Sequence, residues 1–287
     1  EGEGRVPEER VLLTPRGERA YAAVIGDPVG HSLSPAIHNA AFSALGIDAR
    51  YEAVTVAVGE VPAVVARMRT ERWLGMSVTM PHKETVVAEL DSLTPIAAEL
   101  GAVNCVYWVD DDRLGGDNTD GAGVVWALET HVGVAVAGRR VAVLGAGGAA
   151  RACVAAIAAA GAGEVVVVNR TPERAVQAAA LAPAVARTGT IDDLPGADIV
   201  INATPVGMAA TPGDASVFVP SRGVVAMDLI YHPLETAWLA AARAGGATAV
   251  NGVPMLVGQA AVAFERWTGR PAPTDAMLAA VADALDA

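Results

Sequence analysis

Lysine is almost missing from this sequence. Of the twenty basic residues in 287, nineteen are arginine, and the single lysine is Lys83. Cysteine is nearly as scarce. Cys105 and Cys153 stand alone, with neither the number for a disulfide framework nor the spacing of a metal site. Both thiols are therefore expected in a packed core, and the chain in the cytoplasm. No run of about 18 apolar residues occurs, which excludes a membrane-spanning helix. Positive charge is also in deficit: the formal net charge is −12, which argues against a nucleic-acid backbone or an anionic membrane as partner. The five histidines form no His-Glu-x-x-His pair, no metal site is expected, and no Gly-x-Ser-x-Gly elbow is present.

What is present is an apolar, globular chain, 53% hydrophobic and 18% charged, long enough for two domains. Residues 1–20 are charged, carry Pro7 and Pro15, lack periodicity and lack the basic and apolar stretches of a signal peptide. They are expected to form a mobile extension. Beyond them Ala22–Gly26 reads as a buried strand ending in a glycine turn, and Ser34-Pro35 as a helix start with Ser34 the N-cap and Pro35 the first helical residue. A strand near residues 49–56, a helix near 61–69 and a strand over 76–79 follow, leaving Lys83 in the loop beyond a strand end. Residues 103–109 and 113–115 read as a hairpin around the acidic triplet Asp110–Asp112. From a helix at about 121–130 onward the pattern is strand–helix alternation, with strands at 140–144, 164–168, 199–202 and 224–227. That is the rhythm of a doubly wound parallel sheet. Two amphipathic helices, 255–267 and 274–285, close the chain.

Gly145-Ala146-Gly147-Gly148-Ala149-Ala150 follows the strand 140–144 and opens an alanine-rich helix. In that context Gly145 makes the tight turn, Gly147 admits a pyrophosphate to the backbone, and Ala150 permits close helix–strand packing. The helix N-terminus offers free N–H groups and the positive end of its dipole. At the end of the next strand an NAD site places Asp or Glu to hold the ribose 2′-hydroxyl. This chain instead carries Asn169-Arg170-Thr171 and then Arg174. Arginine binds a 2′-phosphate that a carboxylate would repel, so the expected cofactor is NADP.

Polar stretches interrupt the apolar strands of the first half: His31–Pro35, Ser77–Lys83, Asn104 and Gly116–Gly121. With their surroundings they read VIGDPVGHSLSPAIHNAAF, SVTMPHKE, GAVNCV and GDNTDG, and further on GAGGAAR, VNRT, NATPVGM, MDLIYHPLETAWLAAA and NGVPMLVGQAAVAFERWTG. In this order the nine motifs resemble the shikimate dehydrogenases, including the quinate/shikimate group, from about Tyr21 to the C-terminus.

The resemblance implies an α/β protein of two domains. Residues 21–120 with 253–287 would form a substrate-binding catalytic domain, and 121–252 a Rossmann-type NADP-binding domain. It implies that Ser32 and Ser34, with Tyr231, bind the carboxylate of a cyclohexene carboxylate substrate. Ser77, Thr79, Asn104, Asp120 and Gln259 would hold ring hydroxyls, and Lys83 and Asp120 would be the catalytic pair. Gly145, Ala146, Gly147, Gly148 and Ala149 would cradle the pyrophosphate, and Asn169, Arg170, Thr171 and Arg174 the adenosine phosphate. Residues 202–205, Thr204 above all, would line the nicotinamide side together with Gly252 and Met255. The implied reaction is reversible reduction of 3-dehydroshikimate to shikimate. An ammonium can exchange a proton near working pH where a guanidinium cannot, which gives the lone lysine a reason. One departure matters: the family's stretch before the lysine often begins Asn-Val-Thr, and here it is Ser77-Val78-Thr79. Serine offers one hydroxyl in place of an amide on a longer arm, so quinate or an aminoshikimate stays open as the preferred ring. A non-catalytic NADP-binding regulator is the reading from another class. The sequence leaves the assembly open, a homodimer included.

Overall fold

The computed structural model describes residues 19–208 and 218–286. The expected extension therefore lies outside the described residues except for Arg19 and Ala20, and Ala20 is already the buried first residue of a strand. The chain divides into two compact units. One runs to Thr119 and resumes at Ala260; the other is Asp120–Gln259. This division places Asp120 and residues 253–259 with the second unit.

The first unit is built on β1 (Ala20–Gly26), β2 (Ala49–Thr55), β3 (Gly75–Val78), β4 (Ser92–Leu93), β5 (Cys105–Trp108) and β6 (Leu114–Asp117). They lie in the order β2-β1-β3-β5-β6-β4. β1 pairs parallel with β2 and β3, while β5 runs antiparallel to β3 and β6. β1 is buried at nearly every position, as an unbroken apolar strand covered on both faces must be. Around the sheet stand α1 (Ser34–Ala44), α2 (Val61–Glu71) and α3 (Pro95–Leu100). Val64, Val65 and Met68 recur at helical spacing on α2 and pack with Trp73, Met76 and Val106 in one core. Each such side chain contributes roughly 2 kcal/mol through the apolar area it removes from water.

The α1 start differs from its expected form. Ser34 is the first residue inside the helix, Pro35 the second, and Leu33 stands at the N-cap without a capping side chain. The hydroxyl of Ser32 accepts from Ser34 N at 3.2 Å instead, so the serine two residues earlier satisfies the free N–H.

The second unit carries a fully parallel sheet of β7 (Arg140–Leu144), β8 (Glu164–Val168), β9 (Ala186–Thr188), β10 (Ile199–Asn202), β11 (Val225–Asp228) and β12 (Thr248–Val250). The order is β12-β11-β10-β7-β8-β9. Strand order reverses between β7 and β10, the switch point at which doubly wound sheets bind ligands. Its helices are α4 (Asp120–Trp126), α5 (Gly148–Ala159), α6 (Pro172–Ala179), α7 (Ala237–Ala244) and the start of α8 (Val253–Thr268). The helix expected over 121–130 is α-helical only to Trp126 and continues as a π-helical turn, Ala127–His131. The far end of α8 belongs to the first unit, as does α9 (Thr274–Asp286), which packs on α1. Both cysteines are buried. No helix among the described residues is long and apolar enough to cross a membrane.

Candidate active site

In the first unit the loops after the parallel neighbours β1 and β3 lie side by side. Thr79 N donates to Ile25 O at 2.9 Å and Asp27 N to Met80 O at 3.0 Å. Gly26 makes this approach feasible, because a Cβ there would sit 2.4 Å from Thr79 Cγ2. Ser32 and Ser34 thus come from one loop, and Thr79 and Lys83 from the next. The Lys83 stretch is fixed through its backbone: Val103 N donates to Lys83 O at 2.7 Å. Its neighbour His82 is buried, with Nε2 2.6 Å from Val56 O. His82 is therefore structural and leaves the half-buried Lys83 side chain as the chemical group of the loop.

Ser77 is buried on β3, and the buried Tyr51 hydroxyl on β2 faces both Ser77 and Ser34 without hydrogen-bond geometry to either. Burial pushes this phenol above its ordinary value. Tyr51 was not among the expected site residues; only its inward alternation along β2 distinguishes it in the sequence.

Asn104 precedes β5 and is tied to Thr119 at both ends of its amide. The segment it meets is anchored by Asp117. That buried carboxylate accepts from Thr94 Oγ1 at 2.6 Å, Asn118 N at 2.8 Å and Arg266 Nε and Nη2 at 2.7 and 2.6 Å. Arg266 also lies over the Tyr107 ring, 4.7 Å from its centroid. Arg266 was not among the expected site residues; next to Glu265 on a mostly apolar helix, it carries no distinguishing local signal.

In the second unit Asp120 is buried at the first position of α4, where a carboxylate suits the positive end of the helix. The Cys153 thiol is pushed up to about 12 by burial, with the Asp120 carboxylate adding to it. Gly121 lets α4 close on α5: a Cβ there would lie 2.4 Å from Ala152 O.

At the switch point Gly145 takes φ +114°, a conformation only glycine adopts readily. A Cβ on it would sit 2.9 Å from Ala203 O and 3.3 Å from Thr204 Cγ2, so the turns after β7 and β10 meet there. Ala146 is buried below the turn, while Gly147, Gly148 and Ala149 are exposed at the start of α5. A Cβ on Gly147 or Gly148 would meet nothing within 4 Å, leaving open space over the free N–H groups. Beyond β8, Asn169 is half-buried and its Nδ2 donates to Thr171 O at 2.9 Å, while Arg170, Thr171 and Arg174 are exposed. This open, N–H-rich turn with two exposed guanidinium groups and no carboxylate among residues 169–171 fits the pyrophosphate and 2′-phosphate of NADP.

The other expected residues of this unit have packing duties as well. Gly252 N donates to Ile230 O at 2.9 Å, and a Cβ would lie 2.3 Å from Leu229 O. Met255 packs against the unit's core, and Gln259 Nε2 donates to Leu256 O at 2.8 Å within α8. Tyr231 is half-buried, which raises its phenol. Among the described residues no group of three or more His, Cys, Asp or Glu side chains is placed to hold a metal.

The shikimate dehydrogenase substrate binding domain matches residues 24–106, shikimate / quinate 5-dehydrogenase matches 128–210, and the shikimate 5′-dehydrogenase C-terminal domain matches 252–282. A shikimate dehydrogenase (NADP(+)) of Moorella thermoacetica is 42% identical, with 96% of this chain and 97% of that protein covered. The chain belongs to the shikimate dehydrogenase family. Another relative, the shikimate dehydrogenase (NADP(+)) of Halorubrum lacusprofundi, is 44% identical over 92% of this chain and 98% of its own. The structure of shikimate 5-dehydrogenase from Thermus thermophilus in complex with NADP(H) and shikimate superposes with a TM-score of 0.84. It is 39% identical and covers 92% of this chain and 99% of its own.

Proposed function

We propose that this chain is an NADP-dependent shikimate dehydrogenase that reversibly reduces 3-dehydroshikimate to shikimate. The observation that carries the reading is the presence of Ser32, Ser34, Thr79, Lys83, Asn104 and Asp120 together in a chain 42% identical to such an enzyme, with 96% of this chain covered. NADPH, when bound, supplies hydride to the ring carbonyl carbon. Gly145, Ala146, Gly147, Gly148 and Ala149 hold its pyrophosphate, and Asn169, Arg170, Thr171 and Arg174 hold its adenosine phosphate. Thr204, Gly252 and Met255 border its nicotinamide.

Ser32 and Ser34 donate hydroxyl hydrogens to the substrate carboxylate, with Tyr231 assisting, so the anion is bound by neutral donors. Ser77, Thr79, Asn104 and Gln259 hold the ring hydroxyls. Lys83 delivers a proton to the carbonyl oxygen as charge develops there, and in the reverse direction accepts it. Asp120 orients that ammonium and receives a ring hydroxyl.

Ser77 supports a second reading in the same class. Its short side chain beside the Tyr51 hydroxyl differs from an asparagine in donors and reach, which suits quinate or an aminoshikimate. Steady-state kinetics with shikimate, quinate and aminoshikimate, each with NADP and NAD, separates these readings. The expected result is the highest kcat/KM for shikimate with NADP. Tight NADPH binding with no turnover of any of the three acids would instead make the chain a binding protein. The reading includes a cytoplasmic location, supported by two unpaired buried thiols, and a homodimer, which sedimentation equilibrium decides.

A further inference from the structure

Asp228 closes β11 with 0% of its surface exposed. Its carboxylate accepts three hydrogen bonds: from Asn202 Nδ2 at 3.0 Å and Ile230 N at 3.1 Å on Oδ1, and from Thr236 Oγ1 at 2.7 Å on Oδ2. The three donors are uncharged, and burial raises the carboxyl above its ordinary pKa. A buried carboxylate is a costly way to end a strand. What it gains is bond strength, since hydrogen bonds to an ionised acceptor are shorter and stronger than neutral ones.

Two segments are held by this one group. On one side is Asn202 at the end of β10, the strand hydrogen-bonded to β11. Its Oδ1 accepts from Thr204 N at 3.1 Å and Thr204 Oγ1 at 2.7 Å, and its Nδ2 also reaches Val206 O at 3.4 Å. The amide therefore shapes the whole turn after β10, the same turn that meets Gly145. On the other side, Ile230 N fixes the backbone one residue before Tyr231. Thr236 ties the far end of that segment, its hydroxyl also accepting from Leu239 N at 3.2 Å to cap α7. The two segments touch: Gly207, at φ +109°, would carry a Cβ 3.3 Å from Thr236 Cγ2 and 3.4 Å from Ile230 Cδ1.

We propose that Asp228 is a positioning residue that sets Thr204 through Asn202 and Tyr231 through Ile230 and Thr236, so that one buried carboxylate aligns a cofactor contact and a substrate contact. It rests on the reading above, in which Thr204 borders the nicotinamide and Tyr231 binds the substrate carboxylate.

The test uses the full-length enzyme with Asp228→Asn, Tyr231→Phe, the double variant, Thr236→Val and Thr236→Ser. NADPH Kd by fluorescence titration, shikimate KM and Tm are measured for each. In Asp228→Asn the Kd for NADPH and the KM for shikimate are each expected to rise about tenfold, the equivalent of one lost hydrogen bond to a charged group. In the Tyr231→Phe background the same change is expected to alter shikimate KM by less than about twofold, because its effect runs through Tyr231. Thr236→Val should follow Asp228→Asn, and Thr236→Ser, which keeps the hydroxyl, should restore both constants. A lowered Tm with both constants unchanged overturns the proposal, as does a KM effect that multiplies fully with that of Tyr231→Phe. Should Asp228→Asn fail to fold, the Thr236→Val and Thr236→Ser pair decides on the same constants. If Tyr231→Phe itself leaves shikimate KM unchanged, the assignment of Tyr231 has failed instead. The NADPH Kd of Asp228→Asn then decides, a rise supporting the role of Asp228 and no change overturning it.

Discussion

The side-chain amide of Asn104 is bound to Thr119 at both ends, with Nδ2 donating to Thr119 Oγ1 at 3.1 Å and Oδ1 accepting from Thr119 N at 2.8 Å. Both residues are buried. The backbone of Asn104 adds two further ties, donating to Asp117 O at 3.0 Å and accepting from Val78 N at 2.8 Å. One residue thus joins the end of β3 to the stretch that leads along the chain to Asp120. Asn104→Ala leaves a buried Thr119 N–H without its acceptor, which costs about 1–3 kcal/mol. The variant is expected to melt earlier and to lose about tenfold or more in kcat/KM, as disturbed placement of a reacting group does. Thermal unfolding and steady-state kinetics check the two together. Unchanged values of both would show that the amide does not hold this segment.

His38 gives a pH dependence with a definite sign. Its ring stacks on Tyr51 at 4.4 Å and lies 4.9 Å from that of Trp267. Neither of its nitrogens has a hydrogen-bond partner among the described residues. Burial pushes its pKa down to about 3 from 6.5. The unfolded chain takes up this proton near 6.5 and the folded protein does not, so the stability is present above 6.5 and is lost as pH falls towards 3. At pH 5 the loss is roughly 2 kcal/mol, the 1.5 units below 6.5 at about 1.4 kcal/mol each. Phenylalanine in this aromatic site would not titrate. Denaturant unfolding of His38→Phe is expected to show a flatter acid limb between pH 6.5 and 5 than the parent protein. Parallel limbs would assign the acid sensitivity to other groups.

Much of this architecture was legible because its signals are local. The glycine turn between β7 and α5, the absence of a carboxylate at residues 169–171 and the hairpin of β5 and β6 each rest on neighbouring residues. So does the position of Lys83 beyond a strand end. What escaped depends on pairs far apart in sequence. Arg266 on Asp117 spans 149 positions, and His82 on Val56 spans 26; no periodicity announces either. Tyr51 faces Ser77 only because β2 and β3 flank β1 on opposite sides. Asp228 lies one residue beyond the strand expected over 224–227, and its role depends on which strand lies next to it. The shift of the α1 N-cap is smaller in kind: Ser34 lies one residue inside the helix, and its own N–H is bound by the Ser32 hydroxyl.

Cofactor choice should respond to Arg170 and Arg174 separately from everything else. Both are exposed, and Asn169 already closes the local turn through Thr171 O, so neither guanidinium is needed for folding. Removing either as alanine is expected to raise the KM for NADP about tenfold, the worth of one charge-assisted bond. Turnover at saturating NADP and the KM for NAD should stay near their starting values, because NAD has no 2′-phosphate. A parallel rise for both cofactors would mean that these arginines act through the shape of the turn.

Lys83 can be tested with little interference from folding, because its loop is held by other groups. Its carbonyl takes Val103 N, His82 anchors to Val56 O, and Thr85 Oγ1 donates to His82 O at 3.1 Å. None of these bonds uses the lysine side chain. Lys83→Ala should therefore keep its Tm within a few degrees while kcat falls by about 10²–10⁴, the range for losing a positioned proton donor. Lys83→Arg separates charge from proton transfer. The guanidinium preserves the positive charge but holds its proton far above working pH, so its kcat should stay close to that of the alanine variant. Recovery of near-parent turnover by Lys83→Arg would mean that the charge alone stabilises the developing oxyanion. Near-parent turnover in Lys83→Ala would remove the residue from the reaction altogether. Between those outcomes, the size of the gap between the two variants divides electrostatic stabilisation from proton delivery, a distinction that arginine, the base this chain uses everywhere else, is chemically unable to blur.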